Sequence, residues 1–222
     1  MYTPTLADRA LGSAPIRRRQ VAVRLLACGL GRIELHGMNR MPADGPVVLA
    51  INHRDFLDGP LLFGFVRRPV TFLVKIEAFT PRATPWLRST GQIPVVRNNM
   101  DIGAVRCCLQ VLWHGGVIGV FPEGTRGDGL VRTAQPGVGY FALRTGAKVV
   151  PVACHGTDSL KHRGLRRPDV RITLGDAIDL GEVPRGHRVQ RRRVLEATEQ
   201  VRLALAELVV ATAPAAPQVV HR

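Results

Sequence analysis

Five consecutive apolar residues, Val47–Ile51, run straight into Asn52-His53-Arg54-Asp55-Phe56-Leu57-Asp58-Gly59 and then Pro60. A short apolar run bounded by polar and turn-forming residues reads as a buried strand. The segment after it sets a histidine and a carboxylate five positions apart. Five residues of regular helix would rotate the chain by about 500° and leave the two side chains about 140° apart. His53 and Asp58 can therefore meet only if the chain is non-helical near His53 and Asp58 stands at the start of the next helix. That requirement describes a strand–turn–helix junction. His53-Arg54-Asp55 also spells the opening of a kinase catalytic loop, which needs an asparagine five residues after the aspartate. Pro60 occupies that position, no glycine-rich loop precedes it and no Asp-Phe-Gly follows, so that reading is excluded.

From Ile33 onward, short apolar runs alternate with stretches of helical spacing. Strands are predicted at 47–51, 70–74, 93–96, 117–121, 149–153 and 170–174. Helices are predicted at 58–66, 84–90, 101–114 and 137–145, with Ile102, Val105, Leu109 and Leu112 sharing one face of the third. This alternation implies an α/β fold with a mainly parallel central sheet flanked by helices. A helix is predicted over 16–30, cationic at its start and apolar in its body; it would cap the core or lie in a membrane interface. Residues 188–211 form a C-terminal amphipathic helix, with Val194, Thr198, Val201, Leu205 and Leu208 at spacings of three or four. The organisation expected is a tail and N-terminal helix over 1–32, a core over 33–185, and the C-terminal helix and tail over 186–222. Residues 1–15 and 212–222 read as loose ends.

The chain carries 31 basic and 17 acidic residues, a formal net charge of +14. Such an excess selects polyanionic partners. Zinc-finger spacing, basic heptads and aromatic RNA-binding signatures are all missing, so nucleic acid is not expected. An anionic membrane surface and a phosphate-bearing substrate account for the charge. No run reaches the roughly 18 apolar residues of a spanning helix. Arg17-Arg18-Arg19 followed by Leu25-Leu26-Ala27-Cys28 imitates an export signal, but Arg24 breaks the apolar stretch. The four cysteines show no Cys-x-x-Cys spacing, which argues against a metal site or a disulfide framework.

Three further blocks follow the His53–Asp58 segment. They are Gly91-Gln92-Ile93-Pro94-Val95-Val96-Arg97, then Phe121-Pro122-Glu123-Gly124-Thr125-Arg126, then Val149-Val150-Pro151-Val152. In this order and spacing the four blocks resemble the glycerolipid acyltransferase family, typified by 1-acylglycerol-3-phosphate acyltransferases. The resemblance runs from about Ile33 to Leu180.

The resemblance implies transfer of a fatty acyl group from acyl-CoA or an acyl-carrier protein to the hydroxyl of a lysophospholipid, foremost lysophosphatidic acid, in phospholipid biosynthesis. His53 would be the general base and Asp58 the carboxylate that orients it. Gly91, Arg97, Glu123, Gly124, Thr125 and Arg126 would bind the acceptor, with Arg97 and Arg126 around its phosphate. Pro151 would shape the acyl-donor side or simply end a strand. Neither cofactor nor metal is required. The setting expected is peripheral, on the cytoplasmic face of the cell membrane. Two departures bear on the acceptor headgroup: Gly127 stands where many relatives have serine, and Gln135-Pro136 precede Gly137 where many have a lysine. The alternatives are another lipid or glycolipid hydroxyl as acceptor, or a non-catalytic membrane-binding protein on the same fold.

Overall fold

A computed structural model describes residues 14–96, 101–124, 127–161 and 169–214. The chain opens with helix α1 (Ala14–Leu30) and strand β1 (Arg32–His36). It continues through β2 (Val47–Ile51), α2 (Asp58–Phe65), β3 (Val70–Lys75), α3 (Thr84–Ser89), β4 (Ile93–Val95), α4 (Ile102–Trp113) and β5 (Val117–Val120). It closes with α5 (Gly137–Thr145), β6 (Lys148–His155), β7 (Asp169–Leu174) and α6 (Arg191–Ala211). One seven-stranded sheet has the order β1-β7-β6-β2-β5-β3-β4. Every neighbouring pair is parallel except β6 with β7. The fold is the α/β architecture that the alternation implies. Strand β1, which the pattern did not single out, supplies one edge by pairing Ile33 with Val170.

Strand β2 lies at the centre because both of its faces are apolar. Val47, Leu49 and Ile51 enter a core layer with α1 and α2, including Ile16, Leu62 and Phe63. Val48 and Ala50 enter the opposite layer with Leu112, Phe141, Val201 and Leu205. All five β2 side chains are fully buried, and each Val, Leu or Ile so buried is worth about 1.5–3 kcal/mol.

Helix α4 follows the pattern in part. Leu109 and Leu112 are buried as expected and Val105 packs partly buried against the same core, while Ile102 is 59% exposed. Ala104, Cys108 and Val111 complete the buried stripe, and the first two are too small to mark it by hydrophobic spacing alone. Helix α6 buries Val194, Thr198, Val201 and Leu205 as spaced in the sequence. It starts at Arg191, after an extended Gln190.

Strands β2, β5 and β6 are parallel neighbours, so their C-terminal ends lie on one edge of the sheet. The chain leaves β2 and continues into β3 on one side, while β6 and β7 lie on the other. Open α/β sheets bind ligands at such a reversal, outside the carboxyl ends of the strands.

Candidate active site

His53 stands just past the end of β2, and Asp58 is the first residue of α2. Between them the chain turns. Asp58 Oδ2 lies 3.0 Å from His53 Nδ1 and accepts the backbone N–H of Arg54 and of Asp55, each at 2.9 Å. The carboxylate thus satisfies two backbone N–H groups of the turn that precedes the helix. Asp58 is completely buried and His53 nearly so. Asp55 turns elsewhere: its Oδ1 accepts the N–H of Leu57 at 3.1 Å. Asn52 anchors the turn from behind. Its Oδ1 accepts Cys154 N–H at 2.7 Å and its Nδ2 donates to the Cys154 carbonyl at 3.1 Å, which ties β2 to β6. The Cys154 thiol, fully buried and close to the Asp58 charge, is held well above its ordinary pKa.

The loop after β5 reaches the same histidine. Phe121 stacks on the His53 ring, with centroids 4.1 Å apart. Phe121, Pro122, Glu123 and Gly124 form a tight turn closed by Gly124 N–H on the Phe121 carbonyl at 3.0 Å. Gly124 takes a left-handed φ of 72°, which glycine adopts without strain. Glu123 Oε1 accepts the His53 N–H at 3.0 Å. Burial, first of all, pushes the Glu123 carboxyl above its ordinary pKa, and the charges of Asp128 and Asp58 add to this.

A cavity of about 560 Å³ opens beside His53. Phe56, Phe63, Phe72, Trp86 and Phe121 line it, together with Gln92 and Lys75. The volume lies in the range of small-molecule sites, and the lining suits an aliphatic chain. Lys75 was not singled out from the sequence: a lone lysine at a strand end carries no local signature. Phe72 and Trp86 were missed for the same reason, since only the tertiary fold brings them to the cavity that His53 lines.

The other expected site residues are distributed unevenly. Gly91 closes α3 with φ 76°. Its N–H is donated to the Arg88 carbonyl, and the N–H of Gln92 to that of Leu87, so it works as a helix stop. Pro151 lies within β6 opposite Ala50, and its carbonyl accepts Gly175 N–H at 2.8 Å. It does not line the cavity. Arg97, Thr125 and Arg126 lie outside the described residues.

A family model described as Acyltransferase matches residues 32–155, more than half of the chain and the whole stretch that builds this site. The chain belongs to the Acyltransferase family. It is 29% identical over 152 residues to a chloroplastic 1-acyl-sn-glycerol-3-phosphate acyltransferase of Arabidopsis thaliana, covering 64% of this chain and 42% of that one. It therefore spans less than half the length of this plant relative. It is 24% identical over 189 residues to a 1-acyl-sn-glycerol-3-phosphate acyltransferase of Bacillus subtilis, covering 84% of this chain and 93% of that one. The crystal structure of the 1-acyl-sn-glycerophosphate acyltransferase of Thermotoga maritima is similar in fold. Its TM-score is 0.62 at 23% identity, over 87% of this chain and 79% of that chain.

Proposed function

We propose that this acyltransferase moves a fatty acyl group from a thioester to the free hydroxyl of lysophosphatidic acid, giving phosphatidic acid. The observation that carries the reading is the His53 ring, held at Nδ1 by a buried carboxylate and lining an apolar cavity. With Nδ1–H donated to Asp58, Nε2 is the nitrogen free to take a proton. Nε2 removes the proton from the acceptor hydroxyl, and that oxygen bonds to the thioester carbonyl carbon. The tetrahedral oxyanion then collapses, the C–S bond breaks, and the imidazolium returns its proton to the departing thiolate. An ester and a free thiol result, and no acyl-enzyme is needed because the thioester is already activated.

The apolar cavity takes the aliphatic chain. Lys75 at its mouth, with Arg97 and Arg126 of the motif blocks, supplies cations for the acceptor phosphate. The donor is acyl-CoA or acyl-carrier protein.

Peripheral membrane binding accompanies this reading. Among the described residues no helix is long and apolar enough to cross a membrane. Helix α1 turns Val21, Leu25 and Leu26 outward, with Arg17 and Arg18 exposed near its start. Arg19 donates to the Ser89 carbonyl at 3.0 Å, so this helix lies next to α3, whose Trp86 is partly exposed at the cavity rim. An apolar, cationic face beside the substrate cavity suits a lipid surface.

The test is thiol release from oleoyl-CoA or an oleoyl-acyl-carrier protein in the presence of lysophosphatidic acid. Acceptor-dependent release is expected in the wild type, with a loss of at least about a hundredfold in His53→Ala. Release that persists in His53→Ala overturns His53 as base. Release that ignores lysophosphatidic acid but responds to another lipid hydroxyl reassigns the acceptor.

A further inference from the structure

His53 leaves the sheet one residue after the last ladder bond of β2, in which Asn52 N–H is donated to the Val152 carbonyl at 3.4 Å. Its own N–H and C=O are buried and need partners from elsewhere. Both come from the loop after β5. Glu123 Oε1 accepts the N–H at 3.0 Å, and Gly127 N–H is donated to the His53 carbonyl at 3.1 Å. Phe121, from the same loop, lies against the face of the imidazole at an interplanar angle of 27°. Phe72 backs Phe121 at 6.0 Å between centroids and 21°. One loop therefore holds the backbone donor, the backbone acceptor and the ring face of a single residue, while Asp58 holds its Nδ1.

We propose that Glu123 and Phe121 are positioning residues for His53: the loop after β5 is the seat of the base, and Glu123 acts through the His53 backbone instead of binding the acceptor. The proposal rests on the reading of His53 as general base and assigns Glu123 a different part from the one the family resemblance implies. A side-chain oxygen that accepts the His53 N–H, in a loop whose Gly127 N–H reaches the His53 carbonyl, fixes the residue from both sides of its backbone. The half-buried Glu123 carboxylate already meets the fields of Asp128 and Asp58. A phosphate-bearing acceptor brought to it would add a further negative charge. Displacing a catalytic group by about 1 Å costs on the order of a hundredfold in rate, so the seat acts on turnover and not on acceptor affinity.

The experiment compares kcat and the acceptor KM of wild type, Glu123→Ala, Glu123→Gln and Phe121→Leu. It also follows the His53 imidazole resonance in histidine-labelled protein, assigned with His53→Ala. In Glu123→Ala and Phe121→Leu, kcat is expected to fall roughly ten- to a hundredfold, with the acceptor KM within about twofold of wild type. Glu123→Gln should keep most of kcat, because its amide oxygen accepts the same N–H. The His53 resonance should move in Glu123→Ala and return in Glu123→Gln. A raised acceptor KM at unchanged kcat, in either Glu123 variant, overturns the proposal. If Glu123→Ala does not fold, Glu123→Gln and Phe121→Leu decide by the same criteria. If the wild type itself shows no acyl transfer, the proposed reaction falls on its own. The positioning claim is then read from the resonance, and an unmoved resonance in Glu123→Ala and Phe121→Leu overturns it.

Discussion

At the residue scale the site turns on a single oxygen. Asp58 Oδ2 receives His53 Nδ1 and two backbone N–H groups, and all three are donors when the imidazole carries its proton on Nδ1. Asp58→Asn would put an amide N–H where an acceptor is needed, or leave a neutral amide oxygen in place of a carboxylate. The histidine then favours the wrong tautomer, and kcat is expected to fall by roughly a hundred- to ten-thousandfold. A pH–rate profile with the acceptor saturating checks this, and near-wild-type turnover would exclude Asp58 as the orienting group. His53 and Asp58 were legible in the sequence because their meeting depends only on a local turn. Lys75 and Phe72 were not, because their place in the cavity that His53 lines depends on the pairing of β3 with β5, which no local spacing encodes.

At the element scale, α1 packs on the core, one of the two roles that its sequence offered. Its inner face is docked: Ile16, Gln20 and Ala27 are buried, and Gln20 Nε2 donates to the carbonyls of Phe63 at 2.9 Å and Val66 at 3.3 Å. Gly64 allows the close crossing, since a Cβ there would meet Val23 Cγ1 at 2.8 Å. The outer face keeps Leu25 and Leu26 71% exposed. Replacing both leucines with glutamate should abolish sedimentation with anionic vesicles and leave the melting temperature near that of wild type, because neither side chain is packed. Unchanged vesicle binding would remove α1 from the membrane contact. In helix α4 the packing kept Leu109 and Leu112 of the expected face, extended it to Ala104 and Cys108, and left Ile102 exposed.

At the scale of the whole molecule, the C-terminal end of α6 is fastened to the sheet by a buried histidine. His155, the last residue of β6, has its Nε2 3.0 Å from Thr212 Oγ1, and Arg171 donates to the Thr212 carbonyl at 3.5 Å. Burial first, then the nearby charges of Arg54 and Arg171, hold the His155 pKa below its ordinary value of 6.5. The unfolded chain therefore takes up this proton before the folded one does. Stability contributed by neutral His155 is complete above the unfolded pKa and declines as pH falls below it, down to the folded pKa. Melting temperature should accordingly drop from neutral pH to about pH 5, and the drop should be shallower in His155→Gln. Identical slopes in the two proteins would show that His155 does not contribute to the acid sensitivity.

The sequence by itself determined the alternation of strands and helices, the burial of Val47–Ile51, and the junction that brings Asp58 back to His53. Each follows from short-range periodicity or from the reach of a few residues of chain. Only the tertiary structure decided the strand order, the antiparallel pairing of β7 with β6, and the cavity beside His53. It also decided that the loop after β5 takes hold of His53 through its backbone. Those arrangements join residues about 20 to 100 positions apart. They are selected by which apolar faces must be buried together and which backbone groups must find partners, conditions that only the complete sheet can satisfy.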